Sequence, residues 1–254
     1  MKTHTTWLII VSVMAIPNSS CVHYYYAPST NNVPLFKEKN EGRIQASSAS
    51  TATQGNENTA NGFELQTAYA IGNHTALQLN MLHVSDDEDE GSGSGTYLEA
   101  AGGYFKALGA HRHWVFETYG GFGYGGVKNV FSNETTAKTS IKKLFLQPSL
   151  GFTSKYFDAA LSSKFSLADL GYVNSNLSKD NDPDDYDYVE SLRGGKSYFL
   201  WEPGLMLRGG FPNVKLSVQV TYSIFDVNKY PFSEGTVAIG LIVNLNPKPK
   251  PATK

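Results

Sequence analysis

Val214-Lys215-Leu216-Ser217-Val218-Gln219-Val220-Thr221-Tyr222-Ser223-Ile224 is apolar at every even position and polar at every odd one. Successive side chains of a β-strand point to opposite faces, so this stretch sets one greasy face against one polar face along its whole length. A slip of one residue would carry Lys215 and Gln219 to the apolar side, which specifies the register strongly. The pattern recurs near the C-terminus. There Val237, Ile239, Leu241, Val243 and Leu245 share one face, and Thr236, Ala238, Gly240 and Asn244 share the other, with Ile242 the single exception.

The same test, run back along the chain, predicts strands near 41–52, 61–72, 75–85, 96–108, 114–128, 139–154, 157–170, 197–210, 214–226 and 236–246. Alternating segments of about ten residues separated by turns are the signature of a membrane barrel. No amphipathic helix is expected among them. The connections alternate in length: those at 72–74, 109–113, 155–156 and 211–213 are tight, whereas 53–60, 86–95, 131–138, 171–196 and 227–235 are longer and polar. Outer-membrane barrels have short periplasmic turns and long external loops, whereas a soluble sandwich has no reason to alternate loop length. The expected fold is therefore all-β, a transmembrane antiparallel up-and-down barrel of about ten strands over residues 41–246. Eight strands is the alternative, because the outward face of Gly42–Ser50 is scarcely apolar.

Ahead of the barrel, Lys2 and the apolar run Trp7–Ile16 lead to Asn18-Ser19-Ser20-Cys21. The run is too short for a comfortable spanning helix and has the form of a lipoprotein signal, with residues 1–20 removed and Cys21 lipidated. Cys21 is the only cysteine, so the chain forms no internal disulfide. Residues 21–40 form a linker or plug-like segment without persistent periodicity, and residues 247–254 form a Lys/Pro tail. No acidic pair follows Cys21 closely, and such a pair is what resembles a surface-export signal. The lipid and both termini are accordingly expected on the periplasmic side. A formal net charge of -2, with no basic cluster outside the tail, gives no electrostatic reason to expect a nucleic-acid partner, and none is expected.

If the apolar set faces lipid, the inward polar network contains Arg43, Glu64, Glu99, Glu117, Lys164, Glu202, Arg208 and Lys215, with Gln66, Gln78, Asn80, Gln147 and Gln219. Charges in so narrow an interior are tolerable when paired and hydrogen-bonded. A salt-bridged interior that closes the lumen is expected, with Glu202 and Arg208 as members. A conducting pore calls for more strands. Trp114, Phe116, Tyr156, Phe157, Phe199, Trp201 and Phe211, near strand ends, suit the aromatic girdles at headgroup level.

Three motifs invite a chemical reading. Gly121-Phe122-Gly123-Tyr124-Gly125-Gly126 matches G-x-G-x-x-G but lacks the following helix that a dinucleotide site requires, so the glycines are better read as room for a bulky neighbour such as Tyr119. The acidic runs 86–90 and 180–187 lack the spacing of a calcium loop and are read as solvated. His83 beside Asp86 and Asp87 loosely resembles the arrangement of omptin-type barrel proteases, without a second acidic pair. His74, His111 and His113 fall in tight turns with no metal spacing. No catalytic residue, metal or cofactor is expected.

Tyr24-Tyr25-Tyr26-Ala27-Pro28, Asn32–Lys39 and Gly62–Ala70 together resemble the small outer-membrane barrel lipoproteins of the Bacteroidetes, and Phe116–Gly123 and Lys196–Pro203 are similar to later segments of that group. The resemblance implies fold and location. The group is largely without assigned activity, so no functional residue carries over. The function expected is that of a non-catalytic envelope component, structural or binding through its loops. Outer-membrane lipid and other envelope proteins are its expected partners. A narrow solute conduit and a barrel hydrolase using His83 with Asp86 or Asp87 are the alternatives.

Overall fold

The alternation along Val214–Ile224 becomes, in the computed structural model, one wall of a closed barrel. The structure describes residues 24–52, 60–88, 91–131, 134–180, 183–225 and 232–245. The signal segment 1–20, Cys21 and the tail 247–254 lie outside the described residues. The strands are β1 (Gly42–Ala52), β2 (Asn61–Ala70), β3 (Thr75–Glu88), β4 (Gly91–Leu108), β5 (Trp114–Phe131), β6 (Thr136–Thr153), β7 (Phe157–Ser175), β8 (Lys196–Gly210), β9 (Val214–Tyr222) and β10 (Gly235–Leu245). Each pairs antiparallel with its sequence neighbour, and β1 closes against β10 in the register Gly42↔Leu245 to Ala52↔Gly235. Closure leaves no edge, so the backbone satisfies its own hydrogen bonds, as a hydrocarbon environment demands.

The weak first strand is real because both of its edges are paired: Ser47 faces Glu64 of β2 on one side and Gly240 of β10 on the other. The eight-strand alternative is thereby set aside. Parity sorts the faces as the sequence predicts. Leu216 and Leu241 are more than half exposed on the outside, while Lys215, Gln219 and the exceptional Ile242 are buried inside.

Two expectations about connections are corrected. Most of 86–95 and the two ends of 131–138 are ladder rather than loop, since β3–β4 pairs out to Glu88↔Gly91 and β5–β6 out to Val130↔Thr136. The β3–β4 tip is mostly glycine, serine and acid, so no alternation marks it, whereas in the β5–β6 tip Phe131 and Ala137 point inward and are buried in the apolar cluster at the mouth. A helix also interrupts the strands. In the 171–196 connection, α1 (Pro183–Ser191) is followed by a short 3-10 turn, Leu192–Gly194. Pro183 opens α1 with Asp184 and Asp185 in its first turn, where acids complement the helix dipole. Val189 and Leu192 are buried against the barrel mouth.

Residues 24–40 run through the lumen. At the long-loop mouth Tyr26 bridges Phe232 in the β9–β10 connection, and the Tyr25 hydroxyl donates to Asp185 of α1 at 2.8 Å. At the short-turn mouth the Asn40 N–H donates to the Ala70 carbonyl at the end of β2 at 2.8 Å. An extended run of about seventeen residues reaches ~55 Å, well beyond the ~25 Å apolar band of an outer-membrane barrel. The described chain thus begins at the long-loop mouth with Tyr24 and ends at the short-turn mouth with Leu245. The ends of the mature chain themselves, for which one shared side is expected, lie outside the described residues. Of the two readings of 21–40, linker or plug, the described part is a plug.

Candidate functional site

The plugged lumen is layered. Uppermost, at the long-loop mouth, is an apolar cap in which Tyr25, Tyr26 and Phe232 pack with Val189, Leu192, Tyr198 and Leu200. Below it lies an ionic layer. Lys143 Nζ is 3.2 Å from Glu202 and 3.3 Å from Glu99, and Lys164 Nζ is 3.0 Å from Glu99. The Tyr26 hydroxyl donates to Glu202 and accepts from Lys143 Nζ at 2.9 Å, which ties the plug to the wall. Asn80 Nδ2 donates to Glu99 at 3.0 Å.

The next layer is built of amides. The Thr30 N–H donates to Glu64 at 2.8 Å, and its hydroxyl donates to the same carboxylate. Gln66 donates to the Thr30 carbonyl at 3.0 Å, Gln219 to Asn31 at 3.0 Å, and Gln78 and Gln147 to Asn32 at 3.2 and 2.7 Å. An extended segment away from water must find partners for its peptide groups, and here the wall side chains supply them.

Lowest, towards the short turns, Phe36 stacks edge-on with Phe105 at 5.8 Å, and the Phe36 N–H donates to Glu117 at 3.0 Å. Arg208 donates to the Val33 carbonyl at 2.9 Å and to Gln45 at 3.3 Å. Arg43 lies 5.8 Å over the Phe36 ring, and Lys215 pairs with Asp158 at 2.8 Å. At the mouth itself, burial lifts the Glu41 carboxyl above its ordinary value and lowers the Lys37 ammonium below its own.

All eight residues named for the interior therefore lie inside the barrel, in different layers. Glu202 and Arg208 do not meet, since Glu202 belongs with Lys143 and Arg208 with the plug backbone. The sequence reading missed Lys143, Asp158 and Tyr26. Lys143 shares parity with Gln147, and Asp158 shares it with Lys164, so the strand period marked both as inward.

Beside the cap, a cavity of about 100 Å³ opens between the plug and the β3–β5 wall, lined by Tyr24–Ala27, Leu82, Val84, Gly91–Tyr97, Val127 and Asn129 among others. The hydroxyls of Tyr24 and Tyr97, two of its lining residues, are buried without a partner. Such a volume holds several waters or a small polar group.

The glycine motif has a packing role. A Cβ at Gly123 would lie 1.9 Å from the Tyr97 hydroxyl, and one at Gly125 2.7 Å from the same ring. Tyr119, the neighbour named from sequence, instead lies against Gly103. His83 faces outward, bonded to Thr96 Oγ1 at 2.8 Å and packed on Phe63, whereas Asp86 lines the cavity on the opposite face of β3. Asp86 therefore does not join His83 in a catalytic constellation, and the side chain of Asp87 lies outside the described residues. In the acidic run 180–187, Asp185 accepts from Tyr25 and Asp187 pairs with Lys179 at 3.0 Å. Among the described residues no group of three or more metal-binding side chains forms. Trp114, Phe116, Tyr156, Phe157 and Phe211 are exposed at the short-turn rim, and Phe199 and Trp201 stack on Phe165 nearer the long-loop side.

Fold and interior together define an outer-membrane-type β-barrel closed by its own N-terminal segment. No protein-family model and no curated protein matches the chain. Solved structures to which it is similar include Ail, the attachment invasion locus protein of Yersinia pestis, at 13% identity and a TM-score of 0.34, covering 82% of this chain and 99% of that one. A structure of Ail with the heparin analogue sucrose octasulfate gives 13% identity, a TM-score of 0.39 and the same coverage, 82% and 99%. The translocator domain of the autotransporter NalP from Neisseria meningitidis gives 11% identity and a TM-score of 0.46, covering 82% of this chain and 88% of that one.

Proposed function

We propose that this protein is a non-catalytic, non-conducting barrel of the bacterial outer membrane that displays a recognition surface at its long-loop mouth. The observation that carries the reading is the threading of residues 24–40 through the lumen, bonded to the wall in every layer. A solute path would require those bonds to break together. The recognition surface is formed by α1, Phe232 and the cavity beside Tyr24 and Tyr97, all held on a rigid scaffold. Other envelope proteins are its proposed partners, and outer-membrane lipid surrounds the belt. The likeness of the 24–39 and 62–70 segments to Bacteroidetes lipoprotein barrels supports the same reading.

The lipoprotein signal enters this proposal with one change. Cys21 precedes Tyr24 by three residues, a reach of ~10 Å. With the long hairpins outside, a lipid on Cys21 belongs to the outer leaflet rather than the periplasmic one. The test is single-channel recording of the full-length protein in planar bilayers, beside an epitope inserted after Val22. A silent barrel whose epitope is reached by antibody on intact cells is expected. Stable conductance steps would sink the closed lumen, and an epitope reached only after permeabilisation would sink the orientation.

A further inference from the structure

The β5–β6 hairpin carries a charge arrangement on its outer face that sheets ordinarily avoid. Lys128 and Lys138 stand directly opposite one another in the ladder, and Lys142 lies on the same face of β6 opposite Tyr124. All three are exposed, and none forms an ion pair with a described residue. Asp169 faces Lys142 in register from β7 without pairing to it. Like charges directly opposite are destabilising, so the hairpin holds an unmet demand for an anion.

Its height on the barrel says which anion. Tyr124 stands level with Lys142, and next below on the outer face come Phe122 of β5 and Leu144 and Leu146 of β6, all more than half exposed, so the three ammonium groups rim the apolar belt on the long-loop side. A surface groove there is lined by Lys128 and Lys138, by the small residues Ser94, Thr96, Gly126 and Ser140, and by the belt-level residues Leu98 and Tyr124. A cationic rim above a narrow groove leading into hydrocarbon matches a phosphate joined to an acyl chain. We propose that this face binds a phosphorylated acyl lipid of the outer leaflet, with the phosphate on Lys128, Lys138 and Lys142 and one chain in the groove. The placement in the outer leaflet rests on the orientation argued above, but the site itself does not.

Native mass spectrometry of the full-length protein in neutral detergent, with diacyl phosphatidate as the probe, tests it independently of topology and conductance. Wild type is expected to retain phosphatidate over phosphatidylcholine. The triple variant Lys128→Gln/Lys138→Gln/Lys142→Gln should lose that retention by about tenfold or more, and the triple arginine variant should keep it. Lys106→Gln/Lys155→Gln, which removes charge on the short-turn side, is the control and should change nothing. Gly126→Leu, which fills the groove with every charge in place, should also lower retention. Inorganic phosphate at the same concentration should not displace the lipid. Heat-modifiable migration on gels verifies that each variant is folded. Equal retention by the glutamine triple and wild type, equal loss in the control, unchanged retention in Gly126→Leu, or displacement by inorganic phosphate would each overturn the proposal.

Discussion

Glu99 sits between two lysines, and its replacement by glutamine tests the ionic layer without changing the volume of the lumen. In the wild type its carboxylate is 3.3 Å from Lys143, 3.0 Å from Lys164 and accepts from Asn80 at 3.0 Å. After Glu99→Gln, Lys143 retains Glu202 at 3.2 Å, whereas Lys164 retains only the Ser29 hydroxyl at 3.3 Å. An uncompensated buried charge follows, and breaking one side of a buried pair typically costs ~3–5 kcal/mol. Removing both charges in Glu99→Gln/Lys164→Met should recover most of that loss, because the methionine stem can pack on Phe145, whose ring centroid lies 5.2 Å from Lys164 Nζ. Exchanging a buried pair for well-packed apolar groups is often neutral, so the double variant is expected within ~1 kcal/mol of wild type. Denaturant titration of the refolded barrel in lipid, followed by tryptophan fluorescence with the slope checked for constancy, reads both. A cost below ~1 kcal/mol for Glu99→Gln, or a double variant less stable than the single, would refute the assignment of an ionic layer that depends on pairing.

Four smaller perturbations probe the other layers. Tyr26→Phe removes a donor to Glu202 and an acceptor for Lys143, and should lower stability by ~1–3 kcal/mol in the same titration. Gly123→Ala drives a methyl into the Tyr97 hydroxyl, so a loss of ~1–3 kcal/mol is expected, relieved when Tyr97→Leu is added. His83→Ala, on the outer face, should change stability by less than ~0.5 kcal/mol and leave any peptide or lipid hydrolysis by the preparation unaltered; hydrolysis that disappears with it would restore the enzyme reading. Burial raises the Glu41 carboxyl, so just above the ordinary glutamate range the folded chain binds more protons than the unfolded one. Stability is therefore full at lower pH and declines as pH rises through the raised value, a slope that Glu41→Gln should flatten in titrations at several pH values.

What the sequence reveals of this fold is what a two-residue period can encode. Val214–Ile224 shows which side chains share a face because the belt must be apolar and the lumen must not be, and the register follows from that. The same parity reaches Lys143 and Asp158, but the Lys142-Lys143 doublet has the look of surface charge, and Asp158 sits beside a turn. Where the physical demand ends, so does the signal. At the tip of β3–β4 neither face needs to meet acyl chains, so Gly91-Ser92-Gly93-Ser94-Gly95 pairs as ladder with the composition of a loop. In 180–187 the acids that suggest a solvated loop include the first-turn acids Asp184 and Asp185 of α1, so one composition serves two structures.

The plug is the harder case, because nothing periodic marks it. A strand in a sheet alternates its environment, whereas a single extended segment inside a barrel is surrounded on all sides and has no face to keep apolar. Its sequence is constrained only by the need to fit and to have its peptide groups bonded; Pro28 and Pro34 meet part of that need by having no N–H to satisfy. The information lies in the wall instead. Apart from Asp86 at the cavity, five described inward acids, Glu64, Glu99, Glu117, Asp158 and Glu202, balance five inward bases, Arg43, Lys143, Lys164, Arg208 and Lys215, and that balance alone is compatible with a lumen that closes on itself. The inward glutamines are not. Gln66, Gln78, Gln147 and Gln219 stand on four different strands and aim their amides at three successive carbonyls, those of Thr30, Asn31 and Asn32. Neutral amides spaced around a wall have no charge to draw them together across a lumen, and burying them unpaired is costly. A ring of them is therefore a requirement for backbone along the axis, and in this chain the aperiodic segment ahead of β1 supplies it.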